Sequence, residues 1–421
     1  MSYEFSDFGH HLGKGSGIGE LMDDLGHALA SGGQDLKMLG GGQPARIPGI
    51  TAVWRRRIEE LLAETGGLDR ALTTYDPPQG NPRFITAIAG LFRRTFAWDI
   101  GPQNIAITSG GQTAFFLLFN LLAGRMPDGS RKKILLPLVP EYIGYSDLGI
   151  DGCLFHALPP LVENTGTHEF KYRVDFDRLQ ITPEIAAICA SRPTNPSGNV
   201  LTDAEIARLS DLAREHHIPL IIDNAYGAPF PGIIFEAATP FWQPHCILTY
   251  SLSKIGLPGT RTGIVVGPPD IIRAISSMSA IAGLSNPSIG QQIMRPLVES
   301  GEILRLSRDV VQPFYLQKRD LALQAAAEVF GDDIDWAVHR SEGALFLWFR
   351  FPGLAITSKE LYHRLKQRGV LVIPGEYFFY GLDDTRWRHR EECIRVSYAM
   401  EEAVVRDGLR AIATEVRQTR R

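Results

Sequence analysis

Lys254 stands in the run Ser251-Leu252-Ser253-Lys254-Ile255-Gly256-Leu257-Pro258-Gly259-Thr260-Arg261-Thr262-Gly263. A lysine becomes an amine nucleophile only when its pKa is depressed, and burial beside other cations does that. Most single lysines are solvated loop residues. This one directly follows an apolar strand-like run, has hydroxyls before it and an arginine seven residues on. A second segment, Ile221-Ile222-Asp223-Asn224-Ala225-Tyr226, ends an apolar run in an acid. A carboxylate at the C-terminal edge of a buried strand serves catalysis or cofactor binding in open α/β sheets, and equally well serves as a helix N-cap.

Three further segments carry polar groups of directed geometry. Thr108-Ser109-Gly110-Gly111-Gln112-Thr113 joins a strand to an apolar helix. Small residues there leave backbone N–H groups open to an anion, and the helix dipole favours a phosphate. In Arg192-Pro193-Thr194-Asn195-Pro196-Ser197-Gly198-Asn199, the Asn-Pro step excludes helix and makes a rigid turn that directs the Asn195 amide. Arg395 lies in the strand-like run Cys393-Ile394-Arg395-Val396-Ser397-Tyr398, where a guanidinium needs either an internal ion pair or a ligand carboxylate.

The elements that must position these groups alternate from about residue 80 to 290. Apolar runs at Asn104–Thr108, Lys133–Leu138, Ala186–Ala190, Pro219–Asp223, Ile247–Ser251 and Gly263–Gly267 show little alternation and are separated by helical stretches. That pattern predicts a mostly parallel sheet covered on both faces. Thr202-Asp203-Ala204-Glu205 has the form of a capping box. Glu302–Phe330 is a long helical stretch with a kink expected at Pro313. A strand at Ala344–Arg350, a helix at Ser358–Arg368 and strands at Gly369–Ile373 and Cys393–Tyr398 then suggest a smaller α+β unit. The glycine-rich first 50 residues read as an irregular arm with one short helix about Gly19–Leu29. The expected division is residues 1–48 as arm and part of the small domain, 49–303 as large domain and 304–421 as small domain.

The 421 residues are 44% hydrophobic and 21% charged, with a net charge of −4. Nothing there suits a nucleic-acid partner or an anionic membrane. Met1–His11 is no signal peptide, and the apolar run Ala114–Gly124 falls well short of the ~20 residues a membrane span needs. Cys153, Cys189, Cys246 and Cys393 form no CxxC pair, so no metal is expected, and they read as small buried hydrophobes in a reducing cytoplasm.

In this order the five segments resemble the fold-type I pyridoxal-phosphate (PLP) aminotransferases over nearly the whole chain. The strings Leu39–Ala45, Tyr75–Gly80, Pro140–Tyr145, Arg192–Asn199, Asp223–Phe235 and Ser251–Gly263 are similar to one branch, the valine–pyruvate aminotransferases. The resemblance implies an α/β large domain with a mostly parallel seven-stranded sheet flanked by helices, plus a smaller α+β domain. It implies transamination between valine and pyruvate, with Lys254 as the imine-forming lysine and proton shuttle. Asp223 would pair with the pyridinium nitrogen, Asn195 and Tyr226 with the phenolic oxygen, and Tyr142 would stack on the ring. Ser109, Gly110, Gly111, Ser251 and Arg261 would hold the phosphate, and Tyr75 would reach the phosphate of a neighbouring subunit in a homodimer. Arg395 would bind the substrate carboxylate, with Gly41 nearby. Two features depart from the wider family. The Lys–Arg spacing is seven rather than eight, and Ser285-Asn286-Pro287-Ser288 offers no clear subunit-crossing serine. Ile18–Met22 is a candidate apolar lid, or simply a packing helix. A PLP lyase or decarboxylase is a rival outcome on the same fold. A non-catalytic ligand sensor is the other, although the first 50 residues leave no room for a DNA-binding domain.

Overall fold

The computed structural model describes residues 3–13, 15, 19, 23, 26, 36–384 and 386–419. Its larger sheet runs in the order Ile105–Thr108, Gly263–Val266, Cys246–Ser251, Leu220–Asp223, Ile185–Ser191, Arg131–Leu136 and Gly124–Arg125, and Phe155–Ala157 also pairs with Arg131–Leu136. The pairs from Cys246–Ser251 through Arg131–Leu136 to Phe155–Ala157 are parallel. Gly263–Val266 is antiparallel to both its neighbours. The seven strands that the resemblance implies are joined at the edge by an eighth, the two-residue Gly124–Arg125. Ile105–Thr108, Ile185–Ser191, Leu220–Asp223, Cys246–Ser251 and Gly263–Val266 are buried at every position. Unalternating Ile, Val and Leu runs do this when helices cover both faces.

Register brings the chemistry to one edge. Ser191, Asp223 and Thr249 are successive cross-strand partners, as are Ser251, Gly263 and Thr108. Strand ends that line up in this way open a crevice outside the carboxyl edge of the sheet.

A second sheet runs Ile373–Pro374, Cys393–Ser397, Phe346–Arg350, Ala337–His339, Glu169–Arg173 and Leu161–Gly166. Its last two strands form a hairpin that leaves the middle of the first α/β stretch to extend the C-terminal unit. The sequence reading does not anticipate it, because Leu161–Gly166 is largely exposed and polar. Thr202 and Glu205 form the expected reciprocal cap. The break expected at Pro313 lies just before it. A π turn at Ser307–Val311 joins helix Glu302–Leu306 to helix Gln312–Phe330, with Gln312 N donating to Ser307 O, so Pro313 and its missing N–H fall directly after the point where the i→i−4 ladder is already shifted.

The N-terminal segment is stitched to the C-terminal unit by a two-residue parallel pair, Lys37–Met38 with Val370–Leu371. Leu39 then sinks against Gly408 of helix Glu402–Thr419, where a Cβ would sit 2.1 Å from Leu39 Cδ1. Of the helix expected about Gly19–Leu29 and the lid at Ile18–Met22, nearly all lies outside the described residues. Three cysteines are buried, whereas Cys153 is exposed because it sits in the turn before Phe155–Ala157. Among the described residues no helix is long and apolar enough to cross a membrane.

Candidate active site

A cavity of about 370 Å3 opens at the carboxyl edge of the larger sheet. Lys254 lies on its wall, three residues past the end of strand Cys246–Ser251, and donates to Gly42 O at 2.6 Å. Loss of hydration, with the nearby cations Arg395 and Arg261, pulls its ammonium down to about 8 against the opposing attraction of Asp223. Roughly a tenth of the amine is therefore unprotonated at pH 7, against a far smaller share for an ordinary lysine.

Asp223 ends strand Leu220–Asp223 and is buried. Burial raises its carboxyl pKa, and three donors oppose the rise. Tyr145 Oη donates to Oδ2 at 2.5 Å, Ala225 N to Oδ1 at 2.8 Å and Thr249 Oγ1 to Oδ1 at 3.3 Å. Every contact suits an anion that accepts only. Beside it Glu141 accepts from Ser191 N, Ser191 Oγ and Tyr142 N at 2.8, 2.7 and 3.1 Å, and burial pushes its carboxyl up to about 7. These bonds tie the Tyr142 backbone to the end of strand Ile185–Ser191.

Beyond that strand, Thr194 N donates to Asn199 O and Gly198 N to Thr194 O, which closes the turn carrying Asn195. Arg395 Nη1 donates to Asn195 Oδ1 at 2.6 Å, leaving the amide nitrogen of Asn195 as its donor for another partner. Arg395 Nη2 donates to Gly40 O at 2.7 Å, and its buried Nε has no partner among the described residues. The guanidinium lies 4.0 Å from the centre of the Phe346 ring, and burial lowers its pKa to about 10, so it stays charged at neutral pH.

Ser109 and Gly110 precede helix Gly111–Leu122, whose first turn leaves N–H groups without intrahelical partners. Gly110 has φ +91°, and a Cβ there would lie 2.1 Å from Arg261 Nη2. Arg261 Nη2 reaches Ser109 O at 3.4 Å. Ser109 Oγ donates to Asn286 Oδ1 at 3.1 Å, and Asn286 is anchored on Pro78 O and Ile107 O. Ser285–Ser288, which carried no assignment in the sequence, thus supports Ser109 from within the same chain. Ser251 Oγ donates to Ser253 Oγ at 3.0 Å.

Ten of the expected residues line this one cavity: Gly41, Gly111, Tyr142, Asn195, Asp223, Tyr226, Ser251, Lys254, Arg261 and Arg395. Ser109 and Gly110 sit behind it, against Arg261. Tyr75 is not part of the lining and is 78% exposed. The sequence reading missed Gln112, Thr249, Ser253 and Tyr145 as site residues. Tyr145 does lie three residues after Tyr142 in the quoted string, a signal that was there to use. The reading also missed an apolar group of lining residues, Met38, Tyr362, Leu371, Val372 and Ile373, which carry no motif.

The donor set fits PLP. A glycine step that a Cβ would fill, helix N–H groups and Arg261 suit a phosphate. Asp223 is an anion held at the cavity wall, Tyr142 offers a ring face, and Lys254 is an amine of depressed pKa.

The sequence of residues 49–412 matches the family described as aminotransferase class I and II. The chain is 46% identical over 412 residues to the valine–pyruvate aminotransferase of Escherichia coli K12, covering 98% of both proteins. The solved structure of a putative amino-acid aminotransferase from Psychrobacter arcticum 273-4 superposes with TM-score 0.96 at 44% identity, covering 99% of each chain. The valine–pyruvate aminotransferase of Salmonella typhimurium LT2 does so with TM-score 0.87 at 45% identity, covering 96% of this chain and 99% of that one. The chain therefore belongs to the class I and II aminotransferases, and its cofactor is pyridoxal 5′-phosphate.

Proposed function

We propose that this enzyme moves the amino group of valine to pyruvate, giving 2-oxoisovalerate and alanine in two half-reactions with ping-pong kinetics. The observation that carries the reading is the convergence of Lys254, Asp223, Asn195 and Arg395 on one cavity. The choice of substrates draws on the 46% identical relative named for valine and pyruvate. It also draws on charge. Among the described residues lining the cavity the only charged ones are Asp223, Lys254, Arg261 and Arg395. With Arg261 at the phosphate cradle, one guanidinium remains, enough for the α-carboxylate and none for a second.

Bound PLP supplies an aldehyde carbon that takes up the amino group and a ring that spreads the electron pair left when the Cα–H bond breaks. The chain does the rest. Arg395 grips the substrate carboxylate, which fixes Cα within reach of Lys254. The Lys254 amine takes the proton from Cα and returns it at C4′, and its lowered pKa suits both directions. With PLP bound, Asp223 would hold a proton on the pyridine nitrogen, Asn195 and Tyr226 would donate to the phenolic oxygen, and Tyr142 would cover the ring. Ser109, Gly110, Gly111, Ser251 and Arg261 would hold the phosphate. Tyr75, exposed in the single chain, serves the phosphate of a second copy in a homodimer.

Adding L-valine alone to the PLP-loaded enzyme tests the reading. The expected result is conversion of the aldehyde-form absorbance to the amine-form absorbance, with one equivalent of 2-oxoisovalerate. Release of carbon dioxide or ammonia instead would move the protein to the decarboxylases or lyases.

A further inference from the structure

The charged groups of the cavity lining sit on the large-sheet edge and on Arg395. Phe115 and Ile143 give the large-domain side apolar lining as well, whereas Met38, Leu371 and Ile373 come from the two ends of the chain and are brought together on one wall. Met38 and Leu371 are register partners in the parallel pair that joins the N-terminal segment to the C-terminal unit. Ile373 is the direct cross-strand partner of Arg395 in an antiparallel pair. Such partners project on the same face with Cβ atoms about 4.5–5.5 Å apart.

Gly40 closes the same corner. Its carbonyl accepts from Arg395 Nη2 at 2.7 Å, and a Cβ on it would lie 3.1 Å from both Ile373 Cδ1 and Val372 O. The carboxylate-gripping guanidinium and the Ile373 methyl therefore meet across one glycine. A donor gripped by Arg395 is therefore brought close to Ile373, with Met38 and Leu371 on the same cavity lining.

We propose that Met38, Leu371 and Ile373 form the subsite that reads the donor side chain, accepting an uncharged aliphatic group by contact and rejecting a carboxylate because the described lining residues offer it no cation beyond Lys254, Arg261 and Arg395, which the shared chemistry already uses. The assignment rests on the aminotransferase reading of the site, in which Arg395 holds the α-carboxylate. The subsite explains a preference that the motif residues leave open. Lys254, Asp223 and Arg395 treat every amino acid alike, because they touch only the groups that all amino acids share.

The test compares the PLP-loaded wild type with Ile373→Ala and Met38→Ala, measuring kcat/KM of the half-reaction for L-alanine, L-valine, L-leucine and L-aspartate. The contact of one or two carbons in an apolar pocket separates donors by roughly 10–200-fold. The wild type should favour valine over aspartate by at least that margin. In each variant valine should fall by about 10-fold or more. Alanine, whose single methyl reaches the subsite least, should fall several-fold less, and the leucine-to-valine ratio should rise as space opens. Met38 is only half buried, so its truncation keeps the test available should Ile373→Ala fold poorly. Equal proportional losses for alanine, valine and leucine in both variants would mean a merely structural effect and overturn the subsite alone. A wild type that turns over aspartate faster than valine overturns the substrate reading as well.

Discussion

The two halves of the cavity are built in opposite ways. The cofactor half takes its groups from the ends of neighbouring strands: Asn195 after Ile185–Ser191, Asp223 at the end of Leu220–Asp223, and Ser251 and Lys254 at the end of Cys246–Ser251. Sheet register sets their spacing. The donor half takes Met38 and Gly40–Gly42 from one end of the chain and Leu371, Ile373 and Arg395 from the other. It is held by a two-residue strand pair and by three carbonyls, of Leu39, Gly40 and Gly42, accepting from Ser397 N, Arg395 and Lys254. One half is as rigid as the core sheet. The other draws its lining from short strands near the two ends of the chain, Lys37–Met38, Val370–Leu371 and Ile373–Pro374, outside the sheet that carries the cofactor groups, which is where a shared chemistry is adapted to a particular substrate.

The contrast predicts that damage to the cofactor half destroys chemistry, while damage to the donor half changes which substrate is used. The largest effect should come from Lys254→Ala. A positioned acid–base group supplies up to ~10^4-fold, and the variant should lose at least that in single turnovers with valine. The depressed pKa makes a related prediction for cofactor capture. The deprotonated amine is the reactive form, so capture of added PLP by the resolved apoprotein should speed up as pH rises and level off above about 8. A rate still climbing towards the ordinary lysine pKa would show that the cavity does not perturb this amine.

Arg395→Gln should come next. Hydrogen bonds to a charged group contribute about 1.5–3 kcal/mol, so kcat/KM for valine should fall roughly 10–150-fold. The loss should lie mainly in KM, with PLP absorbance unchanged. A variant that instead loses PLP would mean that the two halves are not separable. Gly110→Ala should do the reverse. Its positive φ disfavours any side chain, and the added Cβ would strike the Arg261 guanidinium. With strain of ~1–3 kcal/mol, PLP should dissociate about 10-fold or more faster, while donor preference stays as in the wild type.

The same contrast decides what the sequence made legible. Strand ends followed by Asp223, Asn195 or Lys254 are local patterns, and a polar residue at the end of a buried apolar run stands out. Fold class followed from the same runs. The hairpin Leu161–Arg173 did not, because an exposed strand has no apolar run to read, and its partner Ala337–His339 lies far along the chain. Met38, Leu371 and Ile373 look like any core residues, and only a pairing between residues over 300 positions apart makes them a lining. The support of Ser109 by Asn286 was hidden for the same reason, since the two are 177 residues apart.

The smallest predicted effect sharpens the comparison within the cofactor half itself. Tyr145 is fully buried, and its ring packs 4.5 Å from Phe115 and edge-on to Phe119 at 5.2 Å, so Tyr145→Phe keeps the packing and removes one hydroxyl. That hydroxyl gives Asp223 its principal hydrogen bond, the one that most opposes the upward push of burial. Without it the Asp223 pKa rises further. A protonated Asp223 can no longer accept the pyridinium proton, so the acid limb of the kcat/KM profile should move to higher pH. Activity should fall by about 10-fold on that limb, the worth of a ~1.5 kcal/mol hydrogen bond to a charged group, and much less at high pH where Asp223 is ionised either way. Donor preference should not change, because the substitution touches only the strand-end half. An acid limb that stays where it was would mean that Ala225 N and Thr249 suffice to keep the carboxylate ionised, and that Tyr145 is there for packing.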